Sequence, residues 1–367
     1  MTKQTPTYDA LKLPEHIKTV LLTGAGGFVG REVTKLMLDL YLNLRIITTD
    51  IVEPPRVIDD EKRLKVVKAD LGDEKQVEAL FEGEEVGGLI ALHGIMSGGS
   101  EANFELGYAV NVDSHVKLLA AARRHSENVL KRKMVYCFIS SLAVYGGPKC
   151  KPTDHVVPSD TPIIPGTSYG VEKTISELYA FDYGRRGYLD TRSLRLPTVA
   201  IRTGAPSTAA SSFISGLIRE PLQGLPSVCP VADGPDGELI DGMPVYLSRA
   251  KTVFRNIVWG LCMPEDNFKY GKGDRSINIP GITVTTRQIL DALKEHGGEE
   301  ATKLVSFKKD PAVIAICETW AGSYDCDEFL KMGFEVDDAQ TGYSLAVGDF
   351  KEELEQERAA KKPKLDA

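Results

Sequence analysis

The amino-acid sequence predicts an α/β fold in which a doubly wound parallel sheet is followed by a smaller C-terminal lobe. Three observations predict it: short apolar runs alternate with helical patterns, a glycine-rich turn directly follows the first run, and proline and glycine become frequent after Pro197. Such alternation is typical of parallel sheets with helices on both faces. Of the 367 residues, 42% are hydrophobic, which is enough to bury one large core or two adjoining ones.

The strands and helices of the sheet domain are predicted in order from Thr19. The strands are short and apolar: Thr19–Leu22, Leu44–Asp50, Leu89–Leu92, Met134–Ser140 and Thr191–Leu196. The helices between them carry apolar residues at helical spacing: Glu32–Leu40, Lys75–Phe81, Gly107–His125 and Tyr169–Arg186. Continued to about seven strand and helix units, this pattern would complete a doubly wound sheet.

The remainder of the chain differs in composition. The chain divides into four consecutive parts: residues 1–17 as an N-terminal extension, 18–200 as the sheet domain, 201–350 as mainly a substrate-binding lobe, and 351–367 as a charged tail. Val245–Cys262 is predicted to be a strand and a helix that return to the sheet domain, whereas Ile289–Lys294 and Pro311–Thr319 belong to the lobe. The tail is predicted to be a frayed helix that ends in disorder.

Charge, hydropathy and cysteine spacing exclude several classes of protein. The formal net charge of -8 and the scattered basic residues disfavour nucleic acid as a partner. The first residues lack the apolar run of a signal peptide, and no stretch has the roughly 20 apolar residues of a membrane helix. The six cysteines lie far apart without a CxxC pair, so neither a metal site nor a disulfide framework is predicted. We expect a cytoplasmic protein.

A glycine-rich turn lies between the first strand and the first helix, in residues 23–30 (TGAGGFVG). Gly24 would permit a tight turn, Gly27 the close approach of a pyrophosphate, and Gly30 close packing of helix on strand. Because a strand precedes and a helix follows, the motif predicts a Rossmann-type dinucleotide site. Asp50 ends the second strand, where a carboxylate accepts hydrogen bonds from ribose hydroxyls and repels a 2′-phosphate. NAD is therefore expected; alternatively, Asp50 is a helix cap or the solvated end of a strand.

Three further side chains have the types and spacing of an acid–base site. Tyr169 and Lys173 are four residues apart at the start of a predicted helix, so they share one face. Ionising a tyrosine of pKa about 10 costs roughly 4 kcal/mol at pH 7, and the ammonium of Lys173 would lower that cost. Ser141 follows an apolar strand and could hydrogen-bond the reacting oxygen. Alternatively, Tyr169 and Lys173 form an amphipathic surface pair. Asn111 either links Lys173 to solvent or is a buried residue bonded to the main chain.

The order and spacing of these motifs resemble those of the extended short-chain dehydrogenases, the NAD-dependent epimerase/dehydratase family. The resemblance covers roughly residues 18–345 and rests on residues 23–30, 69–71, 111, 141–146 and 169–173. It implies oxidation or reduction with NAD, with Tyr169 as the acid/base, Lys173 as a ligand of the nicotinamide ribose and Ser141 as the residue that orients the substrate. It also implies a homodimer, because the helices at Gly107–His125 and Tyr169–Arg186 pair subunits in relatives.

The resemblance implies a wider set of cofactor-binding residues. Asp70 and Leu71 would flank the adenine, and His93 would belong to the cofactor wall rather than act as a general base. The expected cofactor-binding residues are Gly24, Gly27, Phe28, Val29, Gly30, Asp50, Asp70, Leu71, Leu92, His93, Gly94, Asn111, Tyr169, Lys173, Pro197 and Val199.

A second set of segments resembles a narrower subgroup of the family, which oxidises a four-carbon sugar acid at C2. These segments are residues 168–173, 182–187, 195–199 and 209–222. The chain departs from the subgroup at Thr203, Ala205, Ser207 and Thr208, changes that leave the fold and the redox chemistry intact.

A small sugar acid needs a cation for its carboxylate and polar side chains for its hydroxyls. The candidate substrate-binding residues are Ser97, Ser141, Ser211, Ser212 and Arg219. Alternatively, Arg219 pairs with Glu220 or Glu238 on the surface, and the serines cap the helix that begins near Phe213. Two other functions stay open: a nucleotide-sugar epimerase or dehydratase on the same fold, and a non-catalytic protein that senses NAD.

Overall fold

A computed structural model describes residues 6–147, 150–204, 211–271 and 273–361. Its strands are β1 Thr19–Thr23, β2 Arg45–Asp50, β3 Leu64–Lys68, β4 Val86–Ala91, β5 Val135–Ser141, β6 His155–Val156, β7 Asp190–Leu196, β8 Thr198–Ala200, β9 Ser227–Cys229, β10 Val245–Arg249, β11 Ser276–Asn278, β12 Ile282–Val284, β13 Val305–Phe307 and β14 Ser323–Tyr324.

Helices connect most of these strands. The α-helices are α1 Phe28–Leu40, α2 Glu74–Ala79, α3 Ser97–Ala102, α4 Phe104–Tyr108, α5 Ser114–His125, α6 Ser168–Arg185, α7 Ser212–Leu222, α8 Glu238–Gly242, α9 Ala250–Cys262, α10 Thr286–Thr302, α11 Pro311–Cys317, α12 Asp327–Lys331 and α13 Gly342–Lys361. Within the part of the chain described here, no helix combines the length and the apolar character that a bilayer crossing requires.

The main sheet has seven strands in the order β11-β7-β5-β4-β1-β2-β3, and all of its neighbouring strands are parallel. The chain first builds the sheet from β1 toward β3 and then continues from β4 on the other side of β1. The strand order therefore reverses between β1 and β4, and ligands bind at such a point, beyond the carboxyl ends of the strands. This confirms the predicted Rossmann-type doubly wound sheet.

Two strands of this sheet were not predicted, and both lie at its edges. β3 has the sequence LKVVK, whose charged residues and partial burial interrupt the apolar run that marks a central strand. β11 has three residues, too few for a periodic pattern. By contrast, β1 and β4 are buried at every residue, as expected for central parallel strands covered on both faces.

Helices cover both faces of the main sheet. On one face α1 packs against α9, which comes from the second half of the chain and also contacts β4, β5 and β7. On the other face α5 contacts both α2 and α6, and its buried residues join Tyr136 and Phe138 of β5 in a separate apolar cluster. The sheet thus separates two parts of the core.

The smaller lobe has its own apolar cluster around α7 and α10. A three-stranded sheet in the order β12-β10-β8 leads from the main sheet into this lobe, because β8 begins two residues after β7 ends. The C-terminal helix α13 packs on α10 and β10. This lobe stands beside the carboxyl ends of the main strands and forms the second wall of the crevice described below.

The predicted helix Gly107–His125 is part of a longer helical stretch that runs from Phe104 to Leu130. Two π-helical turns interrupt it, at Ala109–Asp113 and at Ser126–Leu130. Wider turns of this kind occur often at functional sites, since they redirect side chains out of the regular helical order. The first turn contains Asn111 and lies next to the crevice.

A buried ion pair joins α6 to the sheet. In this pair, Arg195 of β7 donates from Nε to Glu177 Oε1 at 2.9 Å and from Nη2 to Glu177 Oε2 at 2.7 Å, with side chains only 3% and 5% exposed. Arg195 Nη1 also donates to the hydroxyl of Tyr145 at 2.8 Å. The pair therefore fixes the helix that carries Tyr169 relative to the strands beneath it.

We expect Glu177→Ala to lower the free energy of unfolding by about 3 to 5 kcal/mol, because the guanidinium of Arg195 would stay buried without its partner. The same helix offers a control, Asp182→Ala, since Asp182 pairs with Arg185 where both side chains are at least half exposed. That change should cost about 1 kcal/mol or less. Urea titrations of both variants measure the difference, and equal losses would contradict a special role for the buried pair.

Candidate active site

A crevice of about 1070 Å³ lies over the carboxyl ends of the main strands, between the sheet domain and the smaller lobe. It is large for a small-molecule site, as expected of a site that holds a dinucleotide together with a substrate. Its walls include most of the residues that the sequence predicts to bind cofactor: Gly24, Gly27, Phe28, Val29, Gly30, Asp50, Asp70, Leu71, Leu92, His93, Gly94, Tyr169, Lys173, Pro197 and Val199.

The glycine-rich turn forms the floor of the crevice at the start of α1. Gly24 has φ +69°, a conformation that favours glycine, and a Cβ at Gly30 would overlap the carbonyl oxygen of Gly24. Gly27 caps α1 and makes no side-chain cap hydrogen bond, so no side chain of the cap covers the first N–H groups of the helix. These groups and the helix dipole suit the pyrophosphate of a dinucleotide.

Two carboxylates stand at one end of the crevice, where the adenosine half of a dinucleotide would lie. Asp50 accepts hydrogen bonds from the N–H of Gly26 at 2.9 Å and from the N–H of Ile51 at 2.7 Å. Asp70 accepts one from the N–H of Gly72 at 2.8 Å. Asp50 is therefore both a cap of the main chain and a crevice residue, and its remaining lone pairs can accept hydrogen bonds from ribose hydroxyls.

His93 is held in the crevice wall by both of its ring nitrogens. Nδ1 lies 2.7 Å from Thr23 Oγ1, and Nε2 lies 2.9 Å from Ser114 Oγ. The ring stacks on that of His115 with centroids 3.7 Å apart. Burial, together with the charge of Lys173, lowers the pKa of His93 to about 3. A neutral ring with both nitrogens engaged is a poor general base, and this geometry supports a role in the wall.

Ser141, Tyr169 and Lys173 meet at the middle of the crevice. Ser141 ends β5, and Tyr169 is the second residue of α6, one turn before Lys173. Gly170 allows this meeting, because a Cβ at that position would overlap the carbonyl oxygen of Ala143. Ser141 Oγ accepts from the N–H of Ala143 at 3.1 Å and is near enough to the phenol of Tyr169 to lower its pKa. Lys173 Nζ donates to the carbonyl oxygen of Ile139 at 3.0 Å.

The pKa values of Tyr169 and Lys173 are shifted far from their usual values. The pKa of Tyr169 is raised to about 12, chiefly by burial; the nearby hydroxyl of Ser141 opposes this rise, the charge of Glu172 adds to it and the charge of Arg202 opposes it. Burial lowers the pKa of Lys173 to about 8, against the opposing charges of Glu172 and Glu177. Arg202 is thus one cation that lowers the pKa of the phenol, and Lys173 Nζ lies 5.7 Å from the ring centroid of Tyr169. The role of Lys173 toward the phenol stays a prediction.

The opposite end of the crevice is positively charged. Arg219 of α7 lines it and is buried, so the alternative of a surface position is wrong, although Arg219 does pair with Glu220. Ser97 and Ser211 line the crevice as well, whereas Ser212 does not and begins α7 instead. Because Ser212 lies in the first turn of α7 and not in the crevice wall, its assignment as a substrate-binding residue is corrected. Of the positions at which the chain departs from the sugar-acid subgroup, Ala205, Ser207 and Thr208 lie outside the described residues.

Sequence reasoning missed several residues of this end. Arg202, Tyr246, Ile316, Trp320 and Tyr324 all line the crevice. Arg202 follows the apolar run 199–201 next to the sheet edge, a signal that resembles the one that pointed to Ser141. The other four residues come from later parts of the chain and carry no motif; Trp320 packs with the smaller lobe, whereas Tyr246 and Tyr324 pack with the apolar cluster of the main sheet. Within the described residues, no three His, Cys, Asp or Glu side chains are grouped to hold a metal ion.

Residues 20–237 match the model of the NAD dependent epimerase/dehydratase family. The chain is 36% identical to D-erythronate dehydrogenase of Cupriavidus necator, over 87% of this chain and 94% of the relative. It is 31% identical to D-erythronate dehydrogenase of Haemophilus influenzae, over 87% of this chain and 95% of the relative. The chain belongs to the NAD-dependent epimerase/dehydratase family. Both relatives carry the name of the sugar-acid subgroup that the sequence resembles, which confirms that resemblance.

Solved structures share this fold over most of the chain. A nucleoside-diphosphate-sugar epimerase from Agrobacterium tumefaciens is 28% identical, has a TM-score of 0.78 and covers 90% of this chain and 92% of its own. An L-threonine dehydrogenase from Cupriavidus necator has a TM-score of 0.76 at 20% identity, over 92% of this chain and 99% of its own, and shows the shared fold alone. The predictions of an NAD-dependent dehydrogenase and of NAD as its cofactor are confirmed.

Asn111 lies behind the crevice wall of this epimerase/dehydratase fold and does not line it. It is fully buried, and its amide accepts from the N–H of Ile95 at 2.9 Å and donates to the Ile95 carbonyl at 3.0 Å. Nδ2 also lies 2.6 Å from Glu172 Oε2. Its assignment as a cofactor-binding residue is corrected: Asn111 is the buried, main-chain-bonded residue of the alternative, and it holds the segment that carries Gly94.

We expect Asp50→Ala to weaken NAD binding and to relax discrimination against NADP, because an acceptor for ribose and a charge that repels a 2′-phosphate disappear together. Dissociation constants for both cofactors, measured by calorimetry, test this. Asp39→Ala is the control, since it removes the same charge from an exposed position of α1. Unchanged affinities for both cofactors in the Asp50 variant would leave the carboxylate with only its main-chain contacts.

Proposed function

We propose that this enzyme oxidises the C2 hydroxyl of a four-carbon sugar acid resembling D-erythronate to a ketone. One observation carries the proposal: Tyr169, Arg202 and Arg219 line one crevice, and the charge of Arg202 acts on the phenol of Tyr169. In a 2-hydroxy acid the reacting carbon is bonded directly to the carboxylate carbon. A cation beside the acid/base therefore suits oxidation at C2, and the names of the two curated relatives support the same substrate class.

The described residues supply each function that the reaction needs. Tyr169 accepts the proton of the substrate hydroxyl, and Ser141 hydrogen-bonds the same oxygen and keeps it beside the phenol. Lys173 and Asp50 would hold the ribose hydroxyls of NAD, and the N-terminus of α1 would hold its pyrophosphate. When bound, NAD supplies the hydride acceptor. Because the phenol must lose its proton before it acts as a base, oxidation should become faster as pH rises above neutrality.

The smaller lobe closes the other side of the reaction site with large side chains. Ile316 and Trp320 line the crevice from this lobe, and Tyr324, which packs on Tyr145 and Tyr246, lines it as well. A wall of this kind excludes water, and a drier site strengthens the attraction between a substrate carboxylate and the arginines. Binding energy at the carboxylate can therefore orient the carbinol toward the phenol.

A spectrophotometric screen separates this function from its rivals. Aldonic acids of four to six carbons and nucleotide sugars are each incubated with enzyme and NAD, and NADH is followed at 340 nm. We expect NADH with a four-carbon acid. Conversion of a nucleotide sugar without release of NADH would favour the epimerase named among the similar structures, and no turnover with any compound would favour an NAD sensor.

We expect Tyr169→Phe to reduce turnover by about 10² to 10⁴, since the variant keeps the ring but lacks the group that accepts the proton. The fold and the affinity for NAD should be retained. Tyr179→Phe, at an exposed tyrosine of the same helix, is the matched control and should have parental turnover. Near-parental activity of a folded Tyr169→Phe enzyme would reduce Tyr169 and Lys173 to a structural pair.

We further propose a cytoplasmic homodimer that pairs through α6 and the helical stretch 104–130. Both helices expose large apolar side chains, among them Phe104 at 56% and Leu178 at 62%. All six cysteines are free thiols, as in proteins of reducing compartments.

Light scattering should give twice the 40.1 kDa of one chain. Leu178→Glu should yield monomers and Leu42→Glu, at an exposed leucine elsewhere, should not; a parental enzyme at 40.1 kDa would reject the dimer.

A further inference from the structure

The two arginines at the positive end of the crevice differ in the hydrogen bonds that they already make. All three guanidinium nitrogens of Arg219 are engaged: Nη1 donates to the carbonyl oxygen of Arg202 at 3.0 Å, while Nε at 3.2 Å and Nη2 both donate to Glu220 Oε1. Arg202 Nη2, by contrast, is buried and has no hydrogen-bond partner among the described residues. The free donor at this end thus belongs to Arg202.

The main chain of Arg202 is held by hydrogen bonds, whereas Nη2 of its side chain makes none with a described residue. Its N–H donates to Ser215 Oγ at 3.1 Å, and its carbonyl accepts from Arg219. Both contacts come from α7, so this helix, through Ser215 and Arg219, fixes the position of the main chain from which the Arg202 side chain extends. A crevice-lining side chain with a fixed main chain and a buried donor that no described group accepts from is suited to a ligand, because a buried guanidinium N–H without a partner costs free energy.

The cluster of Arg202, Arg219 and Glu220 carries an excess of positive charge, which also favours an anionic ligand. Burial and the neighbouring charge of Arg219 both lower the pKa of Arg202, whereas the Tyr169 phenolate would raise it. Two guanidinium groups and the one carboxylate of Glu220 leave a net charge of one positive unit. A ligand with a single negative charge would neutralise the group and would also provide acceptors for the free N–H donor.

We propose that Arg202 binds the carboxylate of the substrate, and that Arg219 is a positioning residue that holds Arg202 through its carbonyl oxygen. This inference rests on the sugar-acid function proposed above and assigns the recognition of the acid to one side chain. Since Arg202 also interacts with the phenol of Tyr169, the same cation joins the anchored carboxylate to the reacting hydroxyl on the next carbon.

The position of Arg202 gives a kinetic signature that loss of packing alone would not produce. The groups that act on the phenol are Ser141, Glu172 and Arg202, with Lys173 farther from the ring. Removing the positive charge of Arg202 raises the pKa of the phenol. The acidic limb of the pH profile of kcat/KM for oxidation should therefore move to higher pH in Arg202→Gln and stay near its parental position in Arg202→Lys.

The test compares four arginine variants of the full chain, with NAD and D-erythronate as the substrate. Arg202→Gln should raise KM by about 30-fold or more, with an NAD dissociation constant within about twofold of the parent. Arg202→Lys should recover part of that loss, because it restores a charge without the planar fork. Arg219→Lys should be milder than Arg202→Gln, since a lysine can still donate to the carbonyl of Arg202. Arg287→Gln, in an outlying pair with Asp241, should behave as the parent.

The same experiment separates failure of the inference from failure of the proposed function. Parental KM and pH profile for Arg202→Gln, with a large rise in KM for Arg219→Lys, would make Arg219 the ligand and overturn the inference alone. No NADH from the parental enzyme with any aldonic acid would reject the proposed function and the inference together. If Arg202→Gln lowers the melting temperature, the comparison between parent and Arg202→Lys decides, because the charge is then retained and only the fork geometry changes.

Discussion

The close approach of α6 to the end of β5 is the contact on which the reaction site depends. Gly170 removes the Cβ that would overlap the carbonyl of Ala143, and this lets Tyr169 reach Ser141. Farther along the same helix, Lys173 bonds the main chain of β5 and Glu177 bonds Arg195 of β7. Successive turns of one helix are therefore tied to the sheet, and the acid–base group has little freedom to separate.

The crevice has opposite electrostatic character at its two ends. Asp50 and Asp70 stand at one end, the N-terminus of α1 lies between, and Arg202 and Arg219 stand at the other. Hydroxyls, phosphates and a carboxylate would thus each meet a group of suitable charge along one line. This order is the one expected for a dinucleotide whose adenosine half lies away from the arginines.

The sequence predicted the sheet and the glycine turn because both depend on neighbouring residues. Buried parallel strands are continuous apolar runs, and the roles of Gly24 and Gly30 follow from one short turn. The edge strands β3 and β11 lack such runs, and they were missed. Trp320 and Tyr324 reach the crevice only through long-range packing of the lobe, which leaves no periodic pattern. Arg219 was noticed for its type, whereas the free donor of Arg202 is a property of three-dimensional contacts.

The division of the crevice between two lobes has a consequence for how such enzymes diversify. Every residue placed near the dinucleotide belongs to the sheet domain, whereas Arg219 and Trp320 belong to the lobe built on α7 and α10. Mutations can accumulate in the lobe and its loops without disturbing the pyrophosphate turn. A lineage can thereby exchange one oxidisable metabolite for another while its redox machinery is inherited unchanged, and a protein engineer can follow the same route.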